Sequence, residues 1–139
     1  MNIQQLIEDV SQFRTAIERL KASDVEVSLF GFKESFPRAQ CMTASQLLAH
    51  RLRDIGYKQV AIFLGDNSRD GLTDTHAWVT VGQSVVDITI DQFSEYSNID
   101  YYVGSGLDVH TLYADGQLVS FQIDEELLDT YSAIMSFTV

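Results

Sequence analysis

The sequence predicts an α+β domain built on a mainly antiparallel sheet. Three observations carry that expectation. Apolar residues recur at helical spacing in three separate stretches, near the start, in the middle and at the end of the 139-residue chain. Between the second and third lies a run of short stretches rich in Val, Ile, Thr and aromatic residues. Two of these are joined by Gly82-Gln83, and Gly at the first of two loop positions suits a type II′ hairpin.

The elements follow in order. Ile3, Leu6, Ile7, Val10, Phe13, Ile17 and Leu20 put one apolar stripe on a helix over 3–21, with Asn2 as its N-cap. VEVSLFGF (25–32) is β-rich and predicted extended. KESFPR (33–38) is predicted to be a loop, because Pro37 disfavours the α region at Phe36. A second helix runs from about Cys41 to Ile55, with Ala44, Leu47, Leu48, Leu52 and Ile55 on one face and Gly56 ending it. QVAIFLG (59–65) is a buried strand, DNSRDGLTD (66–74) a polar loop, and HAWVTV and SVVDITI the arms of the hairpin. VHTLYADGQLVSFQI is read as a second hairpin turning on Asp115-Gly116. Asp124 caps a last helix whose apolar face is Leu127, Leu128, Tyr131, Ile134 and Met135. No repeat or linker interrupts the chain, so a single domain over 1–139 is expected.

Composition removes several classes of partner. The formal charge is −11 and the pI about 4.4. No basic stripe exists to neutralise phosphates, so neither nucleic acid nor an anionic membrane is an expected partner. No apolar run is long enough to span a bilayer. MNIQQLIEDV lacks the basic and apolar regions of a signal peptide, and the single cysteine can form no intramolecular disulfide. The expected location is cytoplasmic, with export by a route that reads no such signal left open. Oligomeric state is not readable.

If Gly82-Gln83 forms a two-residue turn, Val81 faces Ser84, Trp78 faces Asp87 and His76 faces Thr89. One face then carries Ala77, Val79, Val81, Val86, Ile88 and Ile90. The other carries His76, Trp78, Thr80, Val85, Asp87, Thr89 and Asp91. His76 and Asp87 become diagonal neighbours about 7–8 Å apart, within reach of a hydrogen bond between their side chains. A solvent-facing polar strand pair is the alternative, and it accounts less well for Trp78. Cys41 opens the second helix, where unpaired backbone N–H groups and the helix dipole favour thiolate. Cys41, His76 and Asp87 thus offer a nucleophile, an acid/base and an orienting carboxylate, with Asp91 the alternative orienter.

AQCMTASQLLAHRLRDIGYKQVAIFLG, THAWVTV and VVDITI, in that order over roughly 36–93, resemble the transglutaminase-like superfamily of the papain-like cysteine fold. The resemblance implies a nucleophile helix packed on the antiparallel sheet and a Cys41–His76–Asp87 triad. It implies acyl transfer from an amide or thioester of a protein or peptide substrate through a thioacyl intermediate. Hydrolysis by a protease, amidase or glutamine deamidase is the favoured outcome. A transglutaminase, or a non-catalytic protein-binding member of the fold, is the alternative. Gln40 is a candidate second oxyanion donor, and Trp78 and Asp91 are candidate supporting groups. Ala39 stands where the family often has Gly, and Met42 where several members have Trp.

No cofactor is implied. Asp66, Ser68, Asp70 and Asp74 sit at calcium-loop spacing, but Ala77 occupies the place of the required Glu, so the EF-hand pattern fails. A looser Ca²⁺ site is the alternative to a plain polar loop. His50 is expected at the solvated face of its helix and His110 as a structural residue in a strand. No zinc spacing is present.

Overall fold

The computed structural model describes residues 2–67 and 74–138. Its order is α1 (Ile3–Ala22), α2 (Phe32–Ser35), α3 (Cys41–Asp54), β1 (Val60–Asn67), β2 (Asp74–Val81) and β3 (Ser84–Asp87). Then come β4 (Tyr102–Gly104), α4 (Asp108–Leu112), β5 (Asp115–Val119) and α5 (Glu125–Met135). The five strands form one antiparallel sheet in the order β4-β3-β2-β1-β5. The fold is therefore α+β, an antiparallel sheet with flanking helices.

Side chains on one face of the sheet, among them Ile62, Ala77, Val79 and Val86, meet the long helices. Helix α3 buries Ala44, Leu47, Leu48 and Leu52 in this layer, and α1 and α5 complete it with Leu6, Val10, Ile17, Leu127 and Ile134. Both outer helices are capped from the sequence. Asn2 Oδ1 accepts the amides of Gln4 and Gln5, and Asp124 Oδ1 accepts that of Leu127 at 2.8 Å. Ile55 and Leu128, expected on apolar faces, are largely exposed.

Three local expectations are corrected. VEVSLFGF is not extended into a strand. It crosses the surface and tightens at Gly31, in the left-handed region (φ 80°), into the single turn of α2. The stretch around His110 is not a hairpin arm. It is α4, and Asp115-Gly116 opens β5, which pairs with β1. The β2–β3 hairpin turns at Gly82 (φ 59°), with Val81 opposite Ser84 and Val79 opposite Val86. Its ladder stops there. After Asp87 the chain turns into a short 3₁₀ segment at Ile90–Gln92 rather than continuing as strand through Ile90.

The second face of the sheet is also buried. Trp78, Ile90, Val109 and Tyr113 form a smaller core, with Phe63, Phe93 and Tyr102 packed on it. Gly65, opposite His76 in the β1–β2 ladder, makes this cover possible. A Cβ there would lie 2.0 Å from the Tyr113 carbonyl oxygen, so only glycine lets the end of α4 settle on the strand. The solvent-facing alternative for this face is thus overturned.

Arg14 ties the layers together. It is 4 % exposed, and its guanidinium meets both oxygens of Asp91, at 3.0 and 2.8 Å. It also donates to Glu18 and to the carbonyls of Ile88 and Asp100. Asp91 is therefore the anchor of α1, and its expected role as an alternative orienter for His76 is corrected.

Ala39 holds a backbone conformation that L-residues rarely adopt (φ 59°). Ala39→Gly should raise the unfolding free energy by about 1 kcal/mol in urea titration. The larger freedom of Gly in the unfolded chain keeps the gain small.

Candidate functional site

Three buried side chains converge beneath α4. Asp87, at the end of β3, accepts at one oxygen, Oδ2, from two imidazoles. His76 Nε2 lies 2.7 Å away and His110 Nε2 2.9 Å away. The other oxygen accepts the backbone N–H of Thr89 at 3.0 Å and its hydroxyl at 3.3 Å. The carboxylate is thereby satisfied on both oxygens, which is what a buried charge requires.

The two histidines are not equivalent. His110 Nδ1 accepts the amide of Leu107 at 2.9 Å. A ring nitrogen that accepts carries no proton, so the proton of this imidazole sits on Nε2 and is donated to Asp87. His76 Nδ1 faces the Gln92 carboxamide at 3.3 Å. Aromatic rings enclose His76, with Phe93 at 4.8 Å edge-on, Trp78 at 5.6 Å and Tyr113 at 5.8 Å between centroids. Tyr113 is fixed in turn by the bond from its hydroxyl to Asp74. His76 and Asp87 are each 1 % exposed and His110 5 %.

The electrostatics follow from this packing. Burial pushes the His76 imidazole down, but the bond to Asp87, reinforced by Cys41, raises it to about 9. Burial pushes Asp87 up, and the two imidazoles, His110 first, hold it at about 2.

Half-buried Cys41 opens α3 beside this cluster and is not one of the groups that converge on Asp87. Burial raises its thiol. His76 and the Ala77 backbone together outweigh that and leave it below the ordinary thiol value. The expected Cys41–His76–Asp87 triad is accordingly corrected. The cluster assembled by the fold is imidazole–carboxylate–imidazole, and its third member is His110, not the thiol. The transglutaminase-like assignment, the nucleophile-helix form of the fold and the thiol hydrolase activity rested on that triad and are withdrawn with it. His110 joins the cluster because residues 108–112 wind into a helix over the sheet and bring its Nε2 to the same oxygen, Asp87 Oδ2, that His76 uses.

The remaining expectations divide. Gln40 is the N-cap residue of α3 but makes no side-chain capping bond. Trp78 is buried against Phe63, at 5.0 Å, and His110, at 4.8 Å. His50 is half-buried, with its ring edge-on to Tyr131 at 4.6 Å, rather than solvated. Of the calcium-loop residues, Ser68 and Asp70 lie outside the described residues, and Asp74 is engaged by Tyr113. The sequence reading missed Arg14 and the role of His110. A lone Arg among the apolar positions of a helix was the available signal for Arg14.

The cluster has the composition of a metal site, with ligand atoms within 4.8 Å of one another. Its distances are those of hydrogen bonds. Two ligands on one zinc at about 2.0–2.1 Å would stand roughly 3.3 Å apart, and the His110 nitrogen that would ligate carries the proton. Zinc added to the purified protein should leave the midpoint of thermal unfolding unmoved, and a saturable rise would show coordination. A cavity of about 700 Å³ lies elsewhere, where Asn2 and Asp9 meet Arg51, Tyr57 and Lys58. No helix among the described residues is long and apolar enough to cross a membrane. No family model, no curated protein and no solved structure matches the chain.

Proposed function

We propose that this domain binds a protein or peptide partner without turning it over, and that the His76–Asp87–His110 cluster is an internal brace. One observation carries the reading: His76 and Asp87 are each 1 % exposed. A general acid must come within hydrogen-bond reach of the substrate group it protonates. Here the imidazole is enclosed by aromatic rings and spends one nitrogen on a carboxylate that a second imidazole shares. Satisfied buried networks of this kind fix a single arrangement of the elements that carry them. This one fixes α4 on β2 and β3. The acidic surface favours a partner of opposite charge.

Acylation tests the proposal better than thiol acidity does, because a lowered thiol alkylates readily with or without catalysis. The protein is incubated with an activated ester, a thioester and a glutamine-containing peptide, and followed by intact mass. The expected result is no thioacyl adduct on Cys41 beyond that of a free cysteine peptide at the same pH. Rapid stoichiometric acylation of wild type, followed by release, would overturn the proposal.

A further inference from the structure

We propose that the concave surface around Phe30 is the docking site for an arginine side chain of a protein partner, a step that rests on the binding reading above. Phe30 is 102 % exposed. Single exposed apolar residues are common, but this one is held out by a loop tied down on both sides. Phe32 is buried against Phe36, with ring centroids 5.5 Å apart. Lys33 Nζ donates to the carbonyls of Ser23, at 2.9 Å, and Val25. The Ser28 hydroxyl donates to Asp129 at 2.7 Å.

Phe30, whose side chain stands free in solvent, lines a concavity of about 210 Å³ together with Glu26 and Glu34. That is smaller than the roughly 300–1,000 Å³ of a small-molecule site, and it suits one long side chain. Both carboxylates are exposed, and Asp24 lies exposed on the same loop. Lys33, the cation lining the concavity, is committed to backbone carbonyls. An aromatic face beside two carboxylates complements a planar guanidinium, which stacks on rings and bonds carboxylates in a fork. Charge complementarity thus selects a cationic partner, and the ring selects arginine over lysine.

The test is a nitrogen-15 NMR titration of the whole chain with the capped tripeptide Ac-Ala-Arg-Ala-NH2, with the lysine and glutamate tripeptides as comparators. Saturable shifts centred on Glu26, Phe30, Gly31 and Glu34 are expected, weaker with lysine and absent with glutamate. Phe30→Ala removes a wholly exposed side chain and should fold normally. It should weaken binding at least about threefold, as should Glu26→Gln with Glu34→Gln. Absence of saturable shifts, shifts spread over the acidic surface, equal binding of lysine, or unchanged affinity in Phe30→Ala would each overturn the assignment. The two proposals fail separately. Acyl turnover at Cys41 would remove the binding reading with these shifts intact, and loss of the shifts without acylation would remove only this surface.

Discussion

Arg14→Ala should lower the unfolding free energy by about 3–5 kcal/mol, the range for breaking a buried ion pair by removing one partner. The substitution strands Asp91, 14 % exposed at its side chain, and leaves the Ile88 and Asp100 carbonyls without their donor. Glu18 adds little, since it is 45 % exposed and solvent screens its pairing. Urea titration measures the loss. The double variant Arg14→Ala with Asp91→Ala separates the pair from its surroundings: it should be more stable than the sum of the two single losses predicts, because neither charge is then left alone. A loss below about 1 kcal/mol in Arg14→Ala would mean that the guanidinium does not join the layers.

Asp87→Asn should be comparably damaging, at about 2–4 kcal/mol, because it removes the charge on which two imidazoles converge. The pH profile distinguishes this brace from ordinary packing. The His76 imidazole is raised from 6.5 to about 9 in the folded protein. Its contribution is fully present below pH 6.5 and is lost as pH rises through about 9. Asp87 is lowered from 3.8 to about 2. Its contribution is present above pH 3.8 and is lost as pH falls through about 2. Wild type should therefore draw most from this cluster between about pH 4 and 6.5, losing it on both sides. In Asp87→Asn the decline between pH 6.5 and 9 should flatten. An unaltered slope there would show that His76 does not owe its raised basicity to Asp87. If Asp87→Asn proves too unstable to titrate, the same slope in His110→Gln should survive, because His76 keeps its carboxylate.

Local chemistry made much of the architecture readable from the chain. The apolar period of 3–21, with Asn2 before it, specified α1 to within a residue, and Asp124 did the same for the start of α5. Gly82 specified the β2–β3 turn and its register, so the placement of His76 and Asp87 on one face could be worked out from pleat alone. These features depend on residues close in sequence, and their energetics survive in any context.

The tertiary structure decided which groups meet. Nothing local to VHTLY distinguishes a strand from one turn of helix, and its β-rich composition pointed the wrong way. The stretch became α4 because Gly65 lets Tyr113 descend on β1 and because His110 gains a buried carboxylate. That docking buried the polar face of the hairpin and made His110, rather than Cys41, the third member of the cluster. Asp91 likewise turned away to a guanidinium 77 positions earlier. Such partnerships are long-range and exclusive. A carboxylate oxygen has few bonding directions, and the group that fills one is chosen by how whole elements pack, which the spacing of residues along a strand cannot express.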